Sequence, residues 1–162
     1  MKRVFVDTGA GYALVDRQDP DHAAVYACLQ RYQGRLLTSN FVFDETITLL
    51  RYRLGWPIAH TVGEQLRSGN TTQIIRITPA DEDAAWHIFA RYRDKSFSFT
   101  DCSSFALMEC LKLHIAIAID SDFKRYGFQF CLDTSLVGWA DSPFPVNPGL
   151  NGGPCPLCKT TN

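Results

Sequence analysis

The chain has 162 residues, 46% of them hydrophobic, enough for one domain with a single core. Its 16 Lys+Arg against 17 Asp+Glu give a net charge of −1, which excludes a globally basic nucleic-acid binder and leaves any such binding to a local patch. No apolar run approaches the roughly 18 residues of a membrane span, and the few apolar residues between Met1-Lys2-Arg3 and Asp7 are too short a run for a signal-peptide core, so a cytoplasmic protein is expected.

Lys2–Val6 reads as a buried strand ending at Asp7. Gly9–Val15 follows as a helix, and Asp19-Pro20-Asp21 opens another that runs to Tyr32, with Pro at an allowed early position. Gly34 breaks it, and Arg35–Thr38 is a short second strand. Ser39 or Asn40 caps a helix whose buried face is marked by Phe43, Ile47, Leu50 and Leu54 at helical spacing. Gly55-Trp56-Pro57 ends it, Pro57–Leu66 forms the next helix, and Gln73–Ile77 a third strand. Thr78 with Asp81 and Glu82 supplies a cap and an acidic first turn for a helix to about Tyr92. Thr100 is the expected cap of a helix from Asp101 to about Lys112, followed by strand Ile115–Ile119 and a short edge strand Phe128–Leu132. Strands alternating with helices predict an α/β fold with a mostly parallel sheet of four or five strands covered on both faces. Residues 1–140 are read as the domain. Residues 141–162, rich in Pro and Gly and without periodicity, are read as a tail.

Four acidic residues fall where a strand ends or a helix begins: Asp7, Glu45, Asp101 and Asp120. In an α/β fold such positions gather at the carboxyl edge of the sheet. Each has an ordinary explanation alone, as a turn residue, a cap or a complement to a helix dipole. Together they suggest a carboxylate pocket in which like charges raise one another's pKa until a divalent cation relieves them. Oxygen-only ligands suit Mg²⁺ or Mn²⁺, and phosphodiester hydrolysis is the matching chemistry. Asp122 stands two residues beyond Asp120 and can aim at the same cation. Asp44 projects about 100° around its helix from Glu45 and is not expected to share the site. The string Asp7-Thr8-Gly9 also matches the Asp-Thr-Gly of aspartic proteases, but those need two such aspartates on an all-β scaffold, and no second copy is present.

The strings Val4-Phe5-Val6-Asp7-Thr8-Gly9, the helix around Glu45, Phe99-Thr100-Asp101-Cys102-Ser103-Ser104-Phe105 and Ile119-Asp120-Ser121-Asp122-Phe123 resemble the motifs of PIN-domain ribonucleases, with VapC-type toxins and their stand-alone relatives the nearest look. The resemblance covers residues 1–137. It implies a three-layer α/β/α sandwich and an endoribonuclease dependent on Mg²⁺ or Mn²⁺. It implies Asp7, Glu45, Asp101 and Asp120 as catalytic residues; Asp7, Asp101, Asp120 and Asp122 as metal-holding; and Thr8 and Ser104 as supporting or phosphate-contacting groups. It also implies a homodimer and a small inhibitory antitoxin protein. A Ser is expected more often where Gly9 stands. The other readings are another metal-dependent phosphoesterase acting on DNA and an RNA- or partner-binding module with little activity.

The tail carries Cys155-Pro156-Leu157-Cys158, half of a tetrahedral zinc site with no second pair to complete it. The cysteines at 28, 102, 110 and 131 lie in apolar segments and are expected to be reduced thiols. Trp56-Pro57-Ile58, with Val62 and Leu66, is the expected shared apolar surface, and Arg51-Tyr52-Arg53 and Arg91-Tyr92-Arg93 are the modest basic clusters.

Overall fold

Val4 and Phe5 are adjacent and both fully buried, yet they serve different cores, because successive side chains of a strand point to opposite faces of its sheet. The structure, a computed structural model, describes residues 2–130. Strand β1 (Arg3–Val6) lies at the centre of a five-stranded sheet, flanked by β2 (Arg35–Ser39) and β4 (Ile115–Ile117). The order is β3-β2-β1-β4-β5, with β3 (Thr72–Ile75) and β5 (Gln129–Phe130) at the edges. All four pairings are parallel, with Phe5 opposite both Leu37 and Ala116.

On the Val4 side, α1 (Thr8–Val15) and α2 (His22–Arg31) cover the sheet with Ala10, Ala13, Val25 and Cys28. On the Phe5 side, α5 (Pro79–Arg91), α6 (Phe99–Cys110) and α7 (Asp122–Tyr126) build the larger core around Phe105, Met108 and Phe123. Phe105 stacks on Tyr126 at 4.3 Å and meets Phe123 edge-on at 5.0 Å. Helices α3 (Asn40–Arg53) and α4 (Trp56–Arg67) form a hairpin that packs on α1 through Leu50, Ala59 and Tyr12. Gly55 makes their turn at φ +90°, which a side chain rarely tolerates. This is the three-layer α/β/α arrangement expected.

Several boundaries differ from expectation. Pro20 lies ahead of α2 rather than in its first turn. β3 stops at Ile75, and the N–H of Ile77 instead donates to Oδ1 of Asn40 at 2.7 Å. Ser98, not Thr100, caps α6: its hydroxyl accepts from the N–H of Asp101 while Oδ2 of Asp101 accepts from the N–H of Ser98. β4 is two residues shorter than read, and α7 is an additional helix, too short for periodicity to reveal. Cys28 and Cys110 each take part in a disulfide, which corrects their reading as reduced thiols; an apolar neighbourhood reports burial, not oxidation state. Cys102 is free and buried. No helix of the described residues is long and apolar enough to cross a membrane. The 140/141 boundary and Cys155 and Cys158 lie outside the described residues.

Candidate active site

β1 and β4 are neighbours, so the residues that follow them emerge side by side. Asp7 leaves β1 as the N-cap residue of α1, and its N–H donates to the carbonyl of Ile117 at 3.0 Å. Thr38, buried at the end of β2, donates to the carbonyl of Val6 at 2.9 Å and fixes the chain just before Asp7. Asp7 is 4% exposed. Burial, followed by the fields of Asp120 and Asp101, pushes its pKa from 3.8 up to about 7. The N–H groups of Thr8 and Gly9 pull it back without closing a capping hydrogen bond.

Asp101 is the third residue of α6. Burial raises its pKa, the Ser98 hydroxyl and N–H oppose that, and Asp120 and Asp122 raise it further. Asp120 follows β4, and its Oδ1 accepts from the N–H of Asp122 at 2.9 Å. Burial raises its pKa too; Asp122 adds to the rise and Arg125 opposes it. Asp122 opens α7 and pairs with Arg125 at 3.1 Å. Glu45 enters from α3 by another route: its Oε2 accepts from the Thr8 hydroxyl at 2.6 Å. Asp7, Asp101 and Asp120 thus act on one another electrostatically, and Glu45 is tied to the residue next to Asp7.

Ser104 is not at the surface of this group. It is fully buried, and its hydroxyl donates to the carbonyl of Thr100 one turn back at 3.0 Å. A Cβ at Gly9 would make only ordinary contact with Ile119, so the backbone does not demand glycine there. Sequence reasoning missed Ser98, Thr38 and Arg125. Ser98 was findable from the pattern Ser-x-x-Asp, and Arg125 from its spacing of three from Asp122. Thr38 carried no local signal.

Among the described residues, no group of three or more His, Cys, Asp or Glu side chains stands ready as a metal cage. One oxygen each of Asp101, Asp120, Asp122 and Glu45 is held by a neighbour. The carboxyl groups of Asp7, Asp101 and Asp120 are left with raised proton affinity, and among the described residues only Arg125 is a cation ion-paired beside them. That donor set fits Mg²⁺ or Mn²⁺, hard cations that bind through one or two carboxylates and complete their shell with water and phosphate oxygens.

A cleft of about 530 Å³ reaches Asp7 from the α1, α2 and α4 side. Leu14, Val15, Leu29, Val62 and Leu66 line it. Trp56 and Ile58, expected to share one surface with Val62 and Leu66, are instead exposed outside this lining.

The PIN domain family model matches residues 4–129. The chain is 32% identical over 125 residues to the 23S rRNA-specific endonuclease VapC20 of Mycobacterium tuberculosis, covering 77% of this chain and 95% of that protein. It is 34% identical over 125 residues to a VapC ribonuclease of Archaeoglobus fulgidus, covering 74% and 78%. The crystal structure of Mycobacterium tuberculosis VapC20, described as a sarcin–ricin loop cleaving toxin, superposes with a TM-score of 0.75 at 31% identity, over 78% of this chain and 96% of that one.

Proposed function

The chain belongs to the PIN-domain family, and from that premise we propose that it is a VapC-type endoribonuclease acting from Asp7, Glu45, Asp101 and Asp120. The observation that carries the reading is the convergence of Asp7, Asp101 and Asp120, from three separate chain segments, at one sheet edge, where burial and mutual repulsion raise their proton affinity. Asp7, Asp101 and Asp120, with Asp122 beside them, would hold Mg²⁺ or Mn²⁺. When bound, the cation supplies an acidified water and neutralises charge on the phosphate. The chain's own contribution is placement. The Ser98–Asp101 capping box fixes one carboxylate, the turn from Asp120 to Asp122 fixes another, and the Thr8 hydroxyl holds Glu45 against the start of α1. Arg125 holds Asp122 and tempers the field on Asp120.

Two partners belong to the same reading. The apolar cleft that reaches Asp7 suits a hydrophobic segment of a small inhibitory protein, and exposed Trp56 and Ile58 suit a homodimer contact. The family match over residues 4–129 supports the reading that residues 1–140 are enough for the activity. The cytoplasm is the compartment this reading proposes, although the disulfides of Cys28 and Cys110 are of a kind rare there.

The test is cleavage of RNA, with a sarcin–ricin loop hairpin tried first, with and without Mn²⁺, alongside DNA of the same sequence. Metal-dependent cutting of RNA that Asp101→Asn abolishes is the expected result. Cutting of DNA alone would replace the reading with a DNA phosphoesterase. RNA binding with no cutting under any metal would replace it with a binding module.

A further inference from the structure

Three large aromatic side chains stand in solvent beside the acidic residues. Trp86 is 60% exposed, Phe89 42% and Phe99 37%. They pack on one another, with ring centroids 5.7 Å apart for Trp86–Phe89, 6.4 Å for Trp86–Phe99 and 6.3 Å for Phe89–Phe99. Phe41, half-buried, continues the patch at 6.3 Å from Phe99. The patch shares its helices with the acidic residues. Phe99 lies in the first turn of α6, two residues before Asp101, and Phe41 lies one turn before Glu45 on the same face of α3.

Folding alone does not call for three such side chains in water, and a contiguous exposed apolar patch marks a binding surface. The patch is entirely aromatic, the composition that meets the flat face of a nucleobase. The charge balance points the same way. A chain of net charge −1 has no global basic field, so its hold on RNA must come from local contacts, and base stacking is one that does not depend on sequence. Ring-on-ring packing also keeps the platform ordered before RNA arrives.

We infer that Trp86, Phe89 and Phe99 form a stacking platform for an unpaired base next to the nucleotide that is cut. This rests on the ribonuclease reading above and adds the side chains that would hold the base beside the cut.

The experiment is steady-state cleavage of the best RNA hairpin by the full chain, with an abasic ribose placed at each loop position in turn. Trp86→Ala is expected to raise KM by about tenfold, with kcat within about twofold, and Trp86→Tyr to restore most of it. One abasic position should cost the wild type a similar factor and cost Trp86→Ala nothing more. Phe89→Ala should repeat the pattern. An unchanged KM, or abasic and Trp86 effects that simply multiply, overturns the platform. So does a KM loss that comes with dissociation of a dimer in light scattering, which would assign the patch to a subunit contact. A wild type that cuts no RNA defeats the ribonuclease reading itself, and the platform with it, a result separable from a wild type that cuts and a variant that cuts equally well.

Discussion

Asp7 is a buried acid without a cationic partner among the described ion pairs, and its protonation sets a pH signature. Unfolded, the carboxyl releases its proton near 3.8; folded, it keeps it to about 7. Between those values the folded chain binds the additional proton, so stability falls as pH rises through this window and is lowest above pH 7. The full difference is about 4 kcal/mol at most, taking one pKa unit as about 1.4 kcal/mol. Asp7→Asn should therefore melt several degrees above the wild type at pH 8 without divalent cations, while RNA cleavage drops by about a hundredfold or more. Melting curves of the two proteins that run parallel from pH 4 to 8 would remove Asp7 as the source. Two hydroxyls separate support of the site from support of the helix. Thr8→Val frees Glu45 and should lower kcat/KM by about tenfold. Ser104→Ala removes only a bond to Thr100 within α6 and should leave kcat/KM within about twofold, a direct measure of whether Ser104 contacts substrate.

At the scale of elements, α5 and α6 are a natural pair of controls. Each begins with a capping box, Thr78 with Asp81 and Ser98 with Asp101. Losing a cap costs about 1 kcal/mol. Asp81→Asn should take that loss in melting temperature and cut RNA normally. Asp101→Asn should lose less stability, because relief of repulsion from Asp120 and Asp122 offsets the lost cap, and should lose cleavage almost entirely. Equal activity in both variants would sink the role given to Asp101. The same elements mark what was legible in advance. Val4-Phe5-Val6 and Ile115-Ala116-Ile117 read as buried strands because parallel strands are apolar on both faces, and the acids closing them could be placed at one edge from order alone. The cap of α6 was misread because Ser98 and Thr100 are both acceptable and only the reciprocal bond to Asp101 chooses. α7 was missed because five residues give no period. The Thr8–Glu45 bond spans 37 positions and has no local trace.

For the molecule as a whole, the family match ends at residue 129, just inside the edge strand β5. A chain ending at Ser142 should cleave RNA at the wild-type rate. The comparison belongs in reducing buffer, so that the disulfides of Cys28 and Cys110 do not enter it, and a fall of more than about tenfold in rate would show that the tail takes part. The strand order has a consequence for synthesis. Asp7 is made well before its partners: its backbone N–H bonds to Ile117, and two of the carboxyls that act on it arrive only with positions 101 and 120. Chains are made from the amino end, and contacts between distant segments form last. A ribosome translating this protein therefore carries no assembled centre until position 120 has been added. A growing nuclease of this topology is inert towards the RNA machine that makes it until the last of its acids has been added.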